Sequence, residues 1–105
     1  MPWQPGDPVP NPAAGDVLVQ YMPTNPVQLY VIVLVSSKVG LDVIFRLIAS
    51  DGVTIKKSHI LPVTASVWVS PEFGPIPVDK NERVQIISRN AVNGAEVQAS
   101  LFTRP

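Results

Sequence analysis

A chain of 105 residues is one domain's worth, long enough to bury roughly 65% of its unfolded surface around a single core. Eight Lys and Arg balance eight Asp and Glu, and this zero net charge argues against a basic nucleic-acid binder or a polybasic membrane binder. There is no cysteine, which excludes disulfides, thiolate metal sites and cysteine nucleophiles.

Charged residues make up 15% of the chain, against a usual share of about 25%. The mean hydropathy is +0.23. A small domain has much surface to cover, and this one has few charges to cover it with. Neighbouring subunits are expected to cover part of the apolar surface, and zero net charge favours such association. The lack of cysteine leans toward an intracellular or virion setting.

Met1-Pro2-Trp3-Gln4-Pro5-Gly6-Asp7-Pro8 has neither a basic nor an apolar signal region, so no secretory leader is expected. Five of the 12 prolines are Pro2, Pro5, Pro8, Pro10 and Pro12. Proline fixes φ and removes a donor, which bars this stretch from a helix interior or a central strand. Residues 1–16 are therefore expected to form an extended arm with a reach on the order of 50 Å, against a domain radius of ~13 Å. Trp3 and Val9, with Pro5, Pro8 and Pro10 beside them, are its candidate docking residues.

Residues 17–105 read as strands. Val17 to Met22 is closed by Pro23. Val27 to Ser36 is apolar on both faces and is expected to be central and covered on both sides. Asp42 to Ala49 leads to Ser50-Asp51-Gly52, a hairpin turn, and Val53 to Lys57 alternates behind it. His59-Ile60-Leu61 runs to Pro62, and Thr64 to Val69 is a further strand. Residues 71–82, with Pro71, Pro75 and Pro77, read as a loop. Arg83 to Arg89 and Glu96 to Phe102 follow, with Asn93-Gly94 a second hairpin signal between them. No segment of ten residues carries a convincing 3.6 period. The expected fold is all-β, a small antiparallel β-sandwich of jelly-roll or immunoglobulin-like topology, with the proline-rich arm in front.

The chemistry-bearing residues are sparse. His59 is the single histidine, set between Ser58 and Ile60, and reads as a surface or partly packed residue. No Gly-x-Ser-x-Gly motif surrounds any serine. One histidine without cysteine makes no zinc site unless carboxylates join it. Asp79, Asn81 and Glu82 lack the spacing and glycine of an EF-hand loop and read as a solvated turn. No phosphate-binding glycine loop exists. No catalytic residue, metal or cofactor is assigned. Tyr30, Phe45 and Phe102 read as core aromatics. Trp68 lies between Val67 and Val69; if the valines face the core, it faces outward. Phe73, between prolines, reads as a loop anchor or a contact.

The extended segment Met1 to Asp16, the strand Val27 to Val35 and the closing segments Arg83 to Asn90 and Asn93 to Phe102 together resemble, in layout, the small decoration or cement proteins of tailed-phage heads. No diagnostic motif carries this resemblance. It implies a non-enzymatic structural protein of the virion. Its partners would be the major capsid protein or other virion subunits, and its own state a homotrimer or other homo-oligomer. No nucleic acid or membrane is implied as a partner. The protein-interaction residues expected are Trp3, Pro5, Pro8, Val9, Pro10, Trp68 and Phe73. The alternative is a carbohydrate- or receptor-binding module of a fibre or tail, using Trp68 and Phe73.

Overall fold

The structure, a computed structural model, describes residues 3–63, 65–69 and 75–105, the side chain of Trp3 excepted. These residues form ten strands and no helix: β1 (Trp3–Pro5), β2 (Val9–Pro10), β3 (Val17–Tyr21), β4 (Val27–Ser36), β5 (Asp42–Ile48), β6 (Ile55–Pro62), β7 (Val67–Val69), β8 (Ile76–Val78), β9 (Arg83–Ser88) and β10 (Glu96–Arg104). They make two antiparallel sheets. In the six-stranded sheet, β10 lies beside β4; β1 and β2 pair with the outer side of β10, and β7 and β8 with the outer side of β4. The four-stranded sheet has the order β3-β9-β5-β6.

The chain crosses from one sheet to the other after β2, β3, β4, β6, β8 and β9. Alternation explains how the sheets meet. In β5, Val43, Phe45 and Leu47 point inward; in β4, Leu29, Ile32 and Leu34 do; in β10, Val97, Ala99 and Leu101 do. With Val84 and Ile86 of β9 they form one core between the sheets, and Phe45 is its largest fully buried side chain. Burying such a side chain is worth roughly 1.5–3 kcal/mol.

The expected extended arm covers residues 1–16, of which the structure describes 3–16. Its described residues are extended and lie along β10: Trp3, Gln4 and Pro5 pair with Phe102, Leu101 and Ser100, and Val9 and Pro10 with Val97 and Glu96. The prolines are tolerated because this is an edge and not a central strand. The Gly6 amide donates to Ala99 and the Asn11 amide to Ala95, both at 2.8 Å. The neighbouring prolines, Pro5, Pro10 and Pro12, fall where the missing N–H would face away from the sheet.

A difference from the sequence reading follows from this placement. Asn93-Gly94 does not turn a hairpin, because β9 and β10 belong to different sheets. Residues 89–95 instead cross between sheets and dock on the N-terminal segment: Gly94 donates to Asn11 Oδ1 at 2.8 Å, and Val92 donates to the Pro12 carbonyl at 3.1 Å. Asp51-Gly52 does join paired strands, β5 and β6. The Asp51 carboxylate accepts the amides of Val53 and Thr54 and the Thr54 hydroxyl, so the turn extends to Thr54 and the strand begins at Ile55. These bonds, the Thr54 hydroxyl first, hold the Asp51 pKa down at about 2.

Candidate functional site: an apolar sheet face

The outer face of the six-stranded sheet carries side chains the core does not use. Because Leu34 and Ile32 point inward, Val31, Val33 and Val35 point outward. The edge strand β7 extends this row: Val67 pairs with Val35, Trp68 with Leu34, and Val69 with Val33. Val67 is 65% exposed, Val69 55% and Val35 47%, while Val31 and Val33 are half-buried. On the other side Phe102, half-buried, pairs with Val31. Five valines and a phenylalanine thus form one patch. Charge is found at its margins, on Glu96 and on Arg104, whose guanidinium carbon stands 4.9 Å over the Tyr30 ring. The sequence expectation that Val27–Ser36 is covered on both faces is therefore corrected: the strand is central in its sheet, yet among the described residues only its inner face is fully covered.

Trp68 faces the opposite way from the orientation weighed on the sequence. It packs against the core cluster, and the two valines flanking it point outward. A tryptophan paired with Leu34 over the core gains more from burial than a valine does, and the strand orients accordingly. Trp68 thus offers no outward stacking platform. Val9 also packs against the core. Pro5, Pro8 and Pro10 are exposed. Pro8 lines an open groove of about 260 Å³ together with Val35, Ser36, Ser37, Glu96 and Gln98, which brings it to the rim of the valine patch. The side chain of Trp3 and all of Phe73 lie outside the described residues, although the backbone of Trp3 is placed beside Phe102. Of the three expected core aromatics only Phe45 is in the core. Strand alternation points Leu101 and Thr103 inward and Phe102 outward, and Tyr30 sits at the irregularity opposite Phe102 and Thr103.

Sequence reasoning missed Val31, Val33, Val35, Val67 and Val69. The signal was present: a strand apolar on both faces, in a chain with little charge, leaves one apolar face for the surface when nothing follows to cover it.

Polar chemistry is dispersed. His59 is exposed on β6 and stacks on Phe45, with ring centroids 6.2 Å apart. Among the described residues, no three His, Cys, Asp or Glu side chains gather as metal ligands would. Glu82 is buried and ties two elements together: its carboxylate accepts Lys56 Nζ at 2.6 Å and the Asp79 amide at 2.9 Å. Burial pushes the Glu82 pKa up, but these two bonds outweigh it and the net shift is downward. The bond to Glu82 also raises the Lys56 pKa. This pair fastens β6 to the turn before β9 and is structural.

No protein-family model, curated protein or solved structure matches the chain.

Proposed function

We propose that this chain is a non-enzymatic structural subunit of a viral assembly, a head decoration (cement) protein of a tailed phage, that attaches through the valine face of its six-stranded sheet. The outward patch of half-buried Val31 and Val33 and exposed Val35, Val67 and Val69 carries this reading. Covering each of the three most exposed valines stabilises a contact by about 1 kcal/mol, half the value of a full transfer from water. That is too little for one copy to bind tightly by these valines alone; copies joined in a homo-oligomer would engage several sites of a shell at once and gain by avidity.

The connectivity supports the same reading. With β1 and β2 taken as one strand and β7 and β8 as another, there are eight strand positions in two four-position sheets. The first lies beside the last, and the chain alternates between sheets in the manner of a jelly roll. That architecture recurs in viral capsid domains and also in lectins and cupins, so it does not decide function alone. The N-terminal segment, laid along β10, contributes Pro8 at the rim of the patch.

The test is co-sedimentation with shells assembled from the major capsid protein of the same virus. Wild-type protein is expected to pellet with shells. A Val67→Asp/Val69→Asp variant, shown folded by circular dichroism, is expected to stay in the supernatant. Equal pelleting of the two proteins would overturn the reading.

A further inference from the structure

The outer face of the four-stranded sheet, opposite the valine patch, carries a second pattern. Val17 pairs with Ile87, Ile87 with Ile44, and Ile44 with Ile60, one residue from each of four strands in a single cross-strand row. Val17 and Ile60, at the ends of the row, are 46% and 54% exposed, Ile44 is half-buried, and Ile87 is 6% exposed. Two residues along β5 on one side of Ile44 lies Asp42, and two on the other side lies Arg46. Both share the outward face with Ile44, each about 7 Å from it along the strand. Asp42 is partnered by Arg89 at 3.5 Å, an open pair with both side chains more than a third exposed. Arg46 is not so partnered. Its Nε is buried without a hydrogen-bond partner, and no carboxylate pairs with it among the described residues.

We infer that this face is a two-fold contact between copies of the chain, with Arg46 of each copy set against Asp42 of the other. A two-fold axis lying in the contact plane along the Ile44–Ile87 row maps the row onto itself. It also exchanges the two flanks. Arg46, on one flank of Ile44, then lies over Asp42 of the second copy on the other flank, and the match occurs twice. By the same operation Gln85, the cross-strand neighbour of Arg46, lies over the Arg89 side. The charge order along β5 is thus complementary to itself under the symmetry that dimers most often use. The new pair supplies the carboxylate that Arg46 lacks, in a setting where the surrounding isoleucines exclude water and strengthen a charged hydrogen bond. Arg83 lies beyond these rows, beside Gly52. The contact does not depend on the proposed function, since it uses the opposite face.

Charge exchange tests it, read by sedimentation equilibrium over a range of concentrations. Wild-type protein is expected to dimerise. Arg46→Asp alone and Asp42→Arg alone are each expected to weaken the dimer by about tenfold or more, and the double variant to recover most of the loss. A wild-type protein that stays monomeric, or a double variant no stronger than the singles, would overturn the inference. Because the chain has no cysteine, a second measurement is independent of any folding defect in the charge variants. Under mild oxidation Ile44→Cys is expected to crosslink to a dimer faster than Val35→Cys, which sits on the valine patch. Faster crosslinking through Val35→Cys would assign self-association to the valine patch and refute the contact inferred here.

Discussion

The Gly6 amide donates a 2.8 Å hydrogen bond to the Ala99 carbonyl, and a side-chain carbon on Gly6 would stand 2.4 Å from that same oxygen. It would also lie 3.0 Å from the Leu18 carbonyl oxygen and from Cβ of Val19, in the other sheet. Residue 6 is therefore where the N-terminal strand passes between the two sheets with no room for a side chain. Gln98 completes the attachment by donating its Nε2 to the Gly6 carbonyl at 2.8 Å. The obstruction is backbone, which cannot swing aside as a side-chain tip can. Gly6→Ala is expected to cost about 1–3 kcal/mol, the range for overpacked sites. Hydrogen exchange should show the Gly6 and Asn11 amides losing protection before those of β4. Unchanged protection and an unchanged denaturation midpoint would show that the strand is not held this closely.

Acid should loosen the turn that Glu82 anchors. The Glu82 pKa lies below its ordinary value of 4.5 in the folded protein. A depressed carboxylate stabilises the fold fully above its unfolded pKa, and that contribution is lost as pH falls through the folded pKa. Lys56 behaves oppositely: its raised pKa gives a contribution that is complete below 10.5 and lost as pH rises past the folded value. Urea midpoints measured from pH 7 down to pH 2 are expected to fall below about pH 4.5, and less steeply for Glu82→Gln. The remaining slope belongs in part to Asp51, whose contribution fades between its ordinary 3.8 and about 2. Parallel curves for wild type and Glu82→Gln would remove Glu82 from this account.

Adjacent residues of β7 should respond very differently to truncation. Trp68→Ala removes a ring packed on the core and is expected to cost roughly 2–4 kcal/mol, somewhat less than a fully buried aromatic. Val67→Ala trims an exposed side chain and is expected to stay within about 0.5 kcal/mol. Thermal melts of the two variants measure this directly. The reverse ranking would turn the strand over and remove the valine patch with it.

Asn90 joins two loops. Its Oδ1 accepts the Asp42 amide at 2.8 Å, and its Nδ2 donates to the Gly40 carbonyl at 2.9 Å. Asn90→Ala deletes both bonds and leaves a part-buried amide at the start of β5 without its acceptor. A loss of about 1–2 kcal/mol is expected in chemical denaturation. No loss would mean that water replaces both bonds freely.

Residues with ordinary strand chemistry were legible in the sequence, and prolines were not. The bounds Val27 to Ser36 emerge unchanged, and Asp42, Arg83 and Glu96 each open the strand expected of them. Alternation and β-branching specify these segments locally. The strands that escaped are β1, β2 and β8, all beside or containing proline. In β8, Pro77 faces outward between buried Ile76 and Val78 and pairs with Gln28 at the margin of the sheet. Proline forbids a central strand but tolerates an edge, and whether a segment reaches an edge depends on partners that local sequence does not show. The valine patch was illegible for a related reason. Alternation in Val67-Trp68-Val69 separates two faces, but which face turns inward depends on Leu34, thirty-odd positions earlier, lying beside Trp68.

The placement of β10 governs the order in which this molecule can be completed. β10 follows all the other described strands in the chain, yet it lies between β1 and β4, so β1 and β2 have no neighbour to grip until β10 is made. A nascent chain that has not yet reached β10 therefore leaves one flank of β4, and β1 and β2 with it, unsatisfied. Such a topology ripens late and all at once, and its greasy strands need shelter in the meantime.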